Sequence, residues 1–394
     1  MRIAFVVQRY GEEVNGGAEL LCRQVAERMQ RYFSVDVLTT CALEYLTWEN
    51  YFPAGTSTVN GISVHRFPTD CSRDMRAFNV FTKKFFAHPQ RSILDELAWI
   101  RLQGPSSPAL LTYIKEHEEQ YDLFIFVTYS YLTTFLGLQL VSRKSLLIPA
   151  AHEEPHFYLQ AYQPIFHLPL GICYNTEEER RLVQRQWQNA HIPWCVAGAG
   201  VVQTSSAAPI PEDTVTVLPE LPQPYLLYVG RIDLMKGCQE LITFFLRYLS
   251  ERQADLHLVL FGKQAMQIPK HPRIFAPGFV SSAQKQAALQ GAMLVVNPSQ
   301  YESLSFMVLE AWQAGVPVLV NGRSEVLVEH CLTSNGGLYY SGYDEFACCL
   351  DLLVSNQVLR TAMGKQGERY VTEHYSWDTI EKTYVDFILQ IANT

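Results

Sequence analysis

Little in this chain is set aside for cross-linking. Its nine cysteines are scattered singly, apart from the neighbours Cys348 and Cys349, and none sits in a C-x-x-C pair or a His/Cys cluster of zinc-like spacing. An odd count with no framework points to a reducing cytoplasm rather than a secreted disulfide scaffold. No two aspartates are separated by a single residue, so no D-x-D site is present to hold a diphosphate through a divalent ion. Charge is sparse as well: 18% of residues are charged and the formal net charge is −8. The 18 basic and 20 acidic residues up to position 205, against 13 and 19 after it, leave neither half basic. A nucleic-acid partner is therefore not expected, and any anionic ligand must be held by a local positive site. Repeats and low-complexity tracts are missing. The apolar start, Met1 to Val7, is too short for a signal peptide. Leu123 to Ser142 is uncharged and long enough to span a bilayer, but its Thr128, Tyr129, Ser130 and Tyr131 fit a buried strand turning into a buried helix better.

What is present is a two-domain rhythm. The 394 residues, 48% of them apolar, suffice for two or three cores. Arg2–Val7, Ser34–Thr40, Ile62–Phe67, Leu123–Val127, Leu146–Pro149 and Ile172–Tyr174 read as strands, with a helix over Gly17–Arg31. Thr176 precedes a helix that opens Glu177-Glu178-Glu179 and carries Arg180, Arg181 and Arg185, the charge order that a helix dipole favours. Five prolines punctuate Thr204 to Pro224 like a stiff connector. Tyr225–Val229, Leu256–Phe261, Met293–Val296 and Val316–Val320 then restart the alternation. Such runs predict an α/β chain of two doubly wound, Rossmann-like domains: 1–205, a linker at 206–224, and 225–375, facing an interdomain cleft. The amphipathic stretch 376–394 is expected to cross back onto the first domain.

Three loops after strands carry candidate chemistry. Gly16-Gly17-Ala18-Glu19 opens a helix, where backbone amides can approach a phosphate or sugar; a simple turn fits equally well. Gly230-Arg231 and Lys236-Gly237 offer a planar fork and a mobile point charge, with Asp233 at hand to partner either. In Asn297-Pro298-Ser299-Gln300-Tyr301-Glu302-Ser303-Leu304-Ser305-Phe306, followed by Glu310, two carboxylates flank amides that suit a phosphate.

In these residues the chain resembles retaining glycosyltransferases of the GT-B fold, in the large nucleotide-sugar family that includes many bacterial mannosyl- and glucosyltransferases. Gly230-Arg231, Lys236-Gly237, the run Pro298 to Ala311 and Ala314-Gly315-Val316-Pro317-Val318 carry the likeness, with Gly16-Gly17-Ala18-Glu19 and Tyr375-Ser376-Trp377 in support. The resemblance implies that Arg231 and Lys236 bind a diphosphate, Glu302 the donor sugar and Glu310 the ribose. The backbone of Ser303, Leu304 and Ser305 would complete the phosphate cradle, Gly278-Phe279-Val280 would lie near the base, and Gly16, Gly17 and Gly230 would border the donor. His152, in Ala151-His152-Glu153-Glu154, matches a histidine that faces the sugar, although relatives often show His-Asp where this chain has His-Glu.

The expectation is a metal-independent hexosyltransferase without cofactor, its catalytic residues His152, Arg231, Lys236 and Glu302. It would use a nucleoside diphosphate sugar, UDP-glucose-type ahead of GDP-mannose, and a saccharide or lipid-linked saccharide acceptor in polysaccharide biosynthesis. Two rivals keep the same architecture: a nucleotide-sugar epimerase and a non-catalytic nucleotide-sugar sensor. Residues 73–91 mix Arg73, Arg76, Lys83, Lys84 and Arg91 with Phe78, Phe81, Phe85 and Phe86. They read either as a helix packed on its own domain or as a peripheral contact with the inner face of the membrane.

Overall fold

The computed structural model describes residues 1–88, 90–201 and 220–393. Two compact units form, 1–199 together with 378–394, and 200–377. Most of the expected linker, 206–219, lies outside the described residues.

The first unit is built on eight strands: β1 (Arg2–Val6), β2 (Ser34–Thr40), β3 (Gly55–Val59), β4 (Ile62–Phe67), β5 (Leu123–Val127), β6 (Ser145–Ile148), β7 (Gly171–Tyr174) and β8 (Trp194–Val196). Their order is β3-β4-β2-β1-β5-β6-β7-β8, parallel except for the β3–β4 hairpin. Central strands such as β5, Leu-Phe-Ile-Phe-Val, are buried along their whole length. That burial follows from helices covering both faces of a parallel sheet. The uncharged stretch after Leu123 resolves into β5 and a separate helix, Leu132–Leu140. Among the described residues no helix is long and apolar enough to cross a membrane. Helix Trp377–Ala392 joins this unit from Asp378 onward. Its buried Glu381 accepts from Arg28 at 2.9 Å, Arg31 at 3.1 Å and the Tyr32 hydroxyl at 3.1 Å.

The basic aromatic stretch forms helix Met75–Ala87, and its rings turn inward. Phe85 is buried, while Phe78, Phe81 and Phe86 pack against the same core beside Trp99. Arg73 reaches the carbonyl oxygens of Tyr45, Leu46 and Gln103, so neither it nor the phenylalanines are laid out on the surface.

The second unit carries β9 (Tyr225–Val229), β10 (His257–Phe261), β11 (Ile274–Gly278), β12 (Leu294–Asn297), β13 (Val318–Asn321) and β14 (Gly337–Tyr340). All neighbours in the order β11-β10-β9-β12-β13-β14 are parallel. Leu226, Tyr228, Leu258, Leu260, Val296 and Leu319 form its core with Phe245 and Phe346 from flanking helices. The carboxyl ends of β9 and β12 deliver Gly230-Arg231 and the 298–305 loop, the place where open α/β sheets bind ligands.

Helix Gln357–His374 crosses the turn after helix Phe306–Gln313 so closely that a Cβ on Gly364 would sit 1.9 Å from the Gly315 carbonyl oxygen. Alanine in a helix interior normally gains about 1 kcal/mol over glycine. Here it must displace backbone, so Gly364→Ala is expected to destabilise the protein by about 1–3 kcal/mol in urea unfolding. A gain in stability would show that the two helices have room to part.

Candidate active site

In the second unit every expected cation is found against a carboxylate. The Arg231 guanidinium pairs with Asp233 through Nε, and the other Asp233 oxygen accepts from the Lys236 amide at 2.7 Å. Asp233 therefore ties together the loop that follows β9. Lys236 Nζ reaches Glu302 Oε1 at 2.8 Å, which brings the β9 loop to the β12 loop. Glu310 lies on helix Phe306–Gln313 and takes a third cation, Lys285 Nζ, at 2.5 Å. Sequence reasoning missed Lys285. The start of its helix was legible in the Ser281-x-x-Gln284 capping box, which the structure forms, but nothing local marks Glu310 as its partner. Phe279 follows β11 and is 71% exposed, with Val280 half-buried beside it.

Beneath the 298–305 loop the supports are neutral. Asn297 Nδ2 donates to Ser305 Oγ at 2.9 Å, while its Oδ1 accepts from the Ser299 amide at 3.0 Å. Asn321 at the end of β13 donates to the Pro298 carbonyl at 2.8 Å. Ser305 caps helix Phe306–Gln313 with left-handed backbone, φ 69°. Such geometry costs energy in a residue with a side chain and persists only where its surroundings hold it. The Leu304 carbonyl just before it accepts from His330 Nε2 at 3.0 Å, and His330 Nδ1 faces the Tyr370 hydroxyl at 3.2 Å. Ser303, Leu304 and Ser305 thus stand at a helix start whose loop is pinned from three sides. His330 is a second residue that the sequence did not reveal.

The first unit places its candidates separately. Gly16 is the N-cap of helix Gly17–Met29. A Cβ there would strike Glu19 Oε2 at 2.0 Å, because Glu19 folds back over the loop. Its Oε1 accepts from Arg9 at 2.6 Å and Gln8 at 2.7 Å, all three buried. The glycine thereby serves an internal ion pair. His152 follows β6, with its ring 26% exposed and Nδ1 3.4 Å from Glu154 Oε1. Glu153, the residue aligned with the relatives' aspartate, instead accepts from the exposed Tyr158 hydroxyl at 2.6 Å.

This architecture matches solved structures along its whole length. Sucrose-phosphate synthase of Thermosynechococcus elongatus gives a TM-score of 0.71 at 16% identity, over 99% of this chain and 98% of that one. HepE of Anabaena, solved in complex with UDP-glucose, gives 0.69 at 14% identity, over 99% and 100%. The chain has the GT-B fold. Residues 212–370 match the family model "Glycosyl transferases group 1", so the family signature falls on the GT-B unit that holds Arg231, Lys236, Lys285, Glu302 and Glu310. An uncharacterised glycosyltransferase of Methanocaldococcus jannaschii is 29% identical over 171 residues, 41% of this chain and 43% of that protein. The match thus spans less than half of that relative.

Burial pulls the His330 imidazole down to about 4, against the pull of its Leu304 hydrogen bond. An unfolded histidine takes its proton near 6.5, so between those values the unfolded chain binds more protons. The stability that neutral His330 supplies is present above pH 6.5 and lost as pH falls through 4, about 3 kcal/mol in all. His330→Gln can still donate to Leu304 and does not titrate. Denaturant unfolding at pH 6.5 and pH 4 should show a fall in the wild type that exceeds the variant's fall by about that amount. Equal falls would remove His330 from the acid response.

Proposed function

We propose that this protein is a retaining glycosyltransferase that moves a hexosyl group from a nucleoside diphosphate sugar to a saccharide or lipid-linked saccharide in polysaccharide biosynthesis, in the cytoplasm. One observation carries the reading: Arg231, Lys236 and the Ser303–Ser305 backbone stand together with Glu302 and Glu310 in the segment that matches glycosyl transferases group 1. UDP-glucose is the favoured donor, supported by its presence in the HepE structure.

In this reading the C-terminal unit holds the donor and the N-terminal unit contributes His152 and takes the acceptor. The bond from the anomeric carbon to the diphosphate oxygen breaks, and its electron pair leaves with the diphosphate. Arg231 and Lys236 stabilise that growing charge, aided by the helix start at Phe306. A hydroxyl of the acceptor bonds to the same face of the sugar, and its proton passes to the departing phosphate oxygen. Glu302 orients the sugar hydroxyls. In this reading Arg231, Lys236 and the amides of Ser303, Leu304 and Ser305 take the part that a divalent ion plays elsewhere, and transfer runs without a metal.

The deciding experiment incubates the protein with UDP-glucose and GDP-mannose, each with and without saccharide acceptors. Acceptor-dependent release of UDP supports the reading. Conversion of the donor without acceptor identifies an epimerase, and binding without turnover a sensor. Turnover should persist in excess EDTA; loss of activity restored by magnesium would overturn the metal-free assignment.

Glu310→Ala should weaken UDP itself, since ribose contacts are common to substrate and product. Loss of a hydrogen bond to a charged group predicts about 10- to 100-fold in Kd by calorimetry. Unchanged affinity would refute the ribose assignment.

A further inference from the structure

Lys285 stands where its own helix does not favour it. Helix Ser282–Gly291 opens on the Ser281-x-x-Gln284 capping box, and the Lys285 amide closes its first turn onto the Ser281 carbonyl at 2.9 Å. A cation in a first turn faces the positive end of the helix dipole, so local structure gives no reason for a lysine at this position. Its Nζ instead reaches across to helix Phe306–Gln313 and donates to Glu310 Oε1 at 2.5 Å. Among the described residues Nζ meets no other acceptor, and no other donor reaches the Glu310 carboxylate. The two side chains are 26% and 23% exposed, so water screens the pair and it adds little to the stability of the fold.

What such a pair does fix is the direction of the carboxylate. A glutamate side chain has several rotatable bonds, and one left unpaired at this exposure samples several rotamers. Lys285 restrains Glu310 through one oxygen only. Each carboxylate oxygen has two lone pairs, so Oε1 keeps one acceptor position and Oε2 keeps both. The carboxylate is thereby held ready for two further donors that lie side by side. A pair of hydroxyls on neighbouring ring carbons supplies them, one for each oxygen. A phosphate cannot, because it brings acceptors to a group that only accepts.

We propose that Lys285 is the positioning residue for Glu310: it holds Oε1 and so sets the carboxylate to accept from both ribose hydroxyls of the donor nucleotide. This rests on the glycosyl-transfer reading, from which the ribose at Glu310 comes. Lys285 keeps its carboxylate when the nucleotide binds, whereas Lys236 exchanges Glu302 for the diphosphate. The consequence is a preference for a ribonucleotide over its 2′- or 3′-deoxy form that depends on a residue whose own contact is Glu310.

The test is calorimetry of the full chain with UDP, 2′-deoxy-UDP and 3′-deoxy-UDP, for the wild type, Lys285→Met and Lys285→Arg. The wild type should bind UDP about 10- to 100-fold more tightly than the deoxy forms, as loss of a hydrogen bond to a charged group predicts. In Lys285→Met, UDP should weaken and that preference should shrink by about threefold or more, the coupling expected within one hydrogen-bonded network. Lys285→Arg keeps a charged donor and should recover most of the preference. Urea unfolding without nucleotide checks that each variant folds, and Lys285→Gln replaces Lys285→Met if that variant does not, with the same loss expected. Equal weakening of all three nucleotides would make Lys285 a counter-charge to the diphosphate, and unchanged affinities would make it a tie between helices; either result overturns the proposal. Failure of the wild type to bind UDP would defeat the proposed function itself, and the role of Lys285 with it.

Discussion

Each expected cation of the second unit lies against a carboxylate, and these ion pairs tie its loops and helices together. Lys236–Glu302 joins two loops, Lys285–Glu310 joins two helices, and Arg231–Asp233 steadies the loop after β9. Their side chains are between 12% and 34% exposed, so water still screens them and each pair is weak by the standard of a dry interior. Under the proposed function, a diphosphate would offer Arg231 and Lys236 a better acceptor, and sugar hydroxyls would offer the carboxylates a donor. Both halves of a pair therefore find a partner in the same ligand, and neither is left as an uncompensated charge. Such a double exchange would let an acidic protein hold an anion without a basic surface around it.

The floor of the site follows the opposite rule. Asn297, Asn321 and His330 are buried and uncharged, and each fixes a backbone group of the 298–305 loop. Charged supports at that depth would compete with the ligand for the cations above or would need partners of their own. Neutral donors avoid both costs while holding Ser305 in its left-handed conformation. A histidine serves here because burial keeps it uncharged across the ordinary pH range, while its second nitrogen is engaged by Tyr370.

Much of this was legible from local pattern. Strands Ser34–Thr40, Ile62–Phe67, Leu123–Val127 and Tyr225–Val229 have the expected bounds, because unbroken apolar runs between turn residues leave little choice for a buried parallel strand. Thr176 caps its helix as its position before three glutamates suggests. The missed strands β3, β8, β11 and β14 are edges or carry exposed residues, and their pairing is decided by a neighbour rather than by their own composition. The two-residue Asn60-Gly61 link between β3 and β4 was the one strong signal left unread. Arg231, Lys236, Glu302 and Glu310 stood out as candidates because they lie in contiguous motifs, and the structure sets each in an ion pair. Lys285 and His330 did not, since each contacts a residue whose proximity is created by the fold.

The two units handle charge differently. Exchangeable pairs suit a ligand that brings charge of its own, such as a diphosphate. In the first unit Glu154 lies beside His156, whose ring stacks on Trp99 and Tyr129. After β1, Arg9 and Gln8 donate to the buried Glu19 carboxylate beside the Gly16-Gly17 turn. Charge in the first unit is thus held in a buried pair, and charge in the second in pairs that water still reaches.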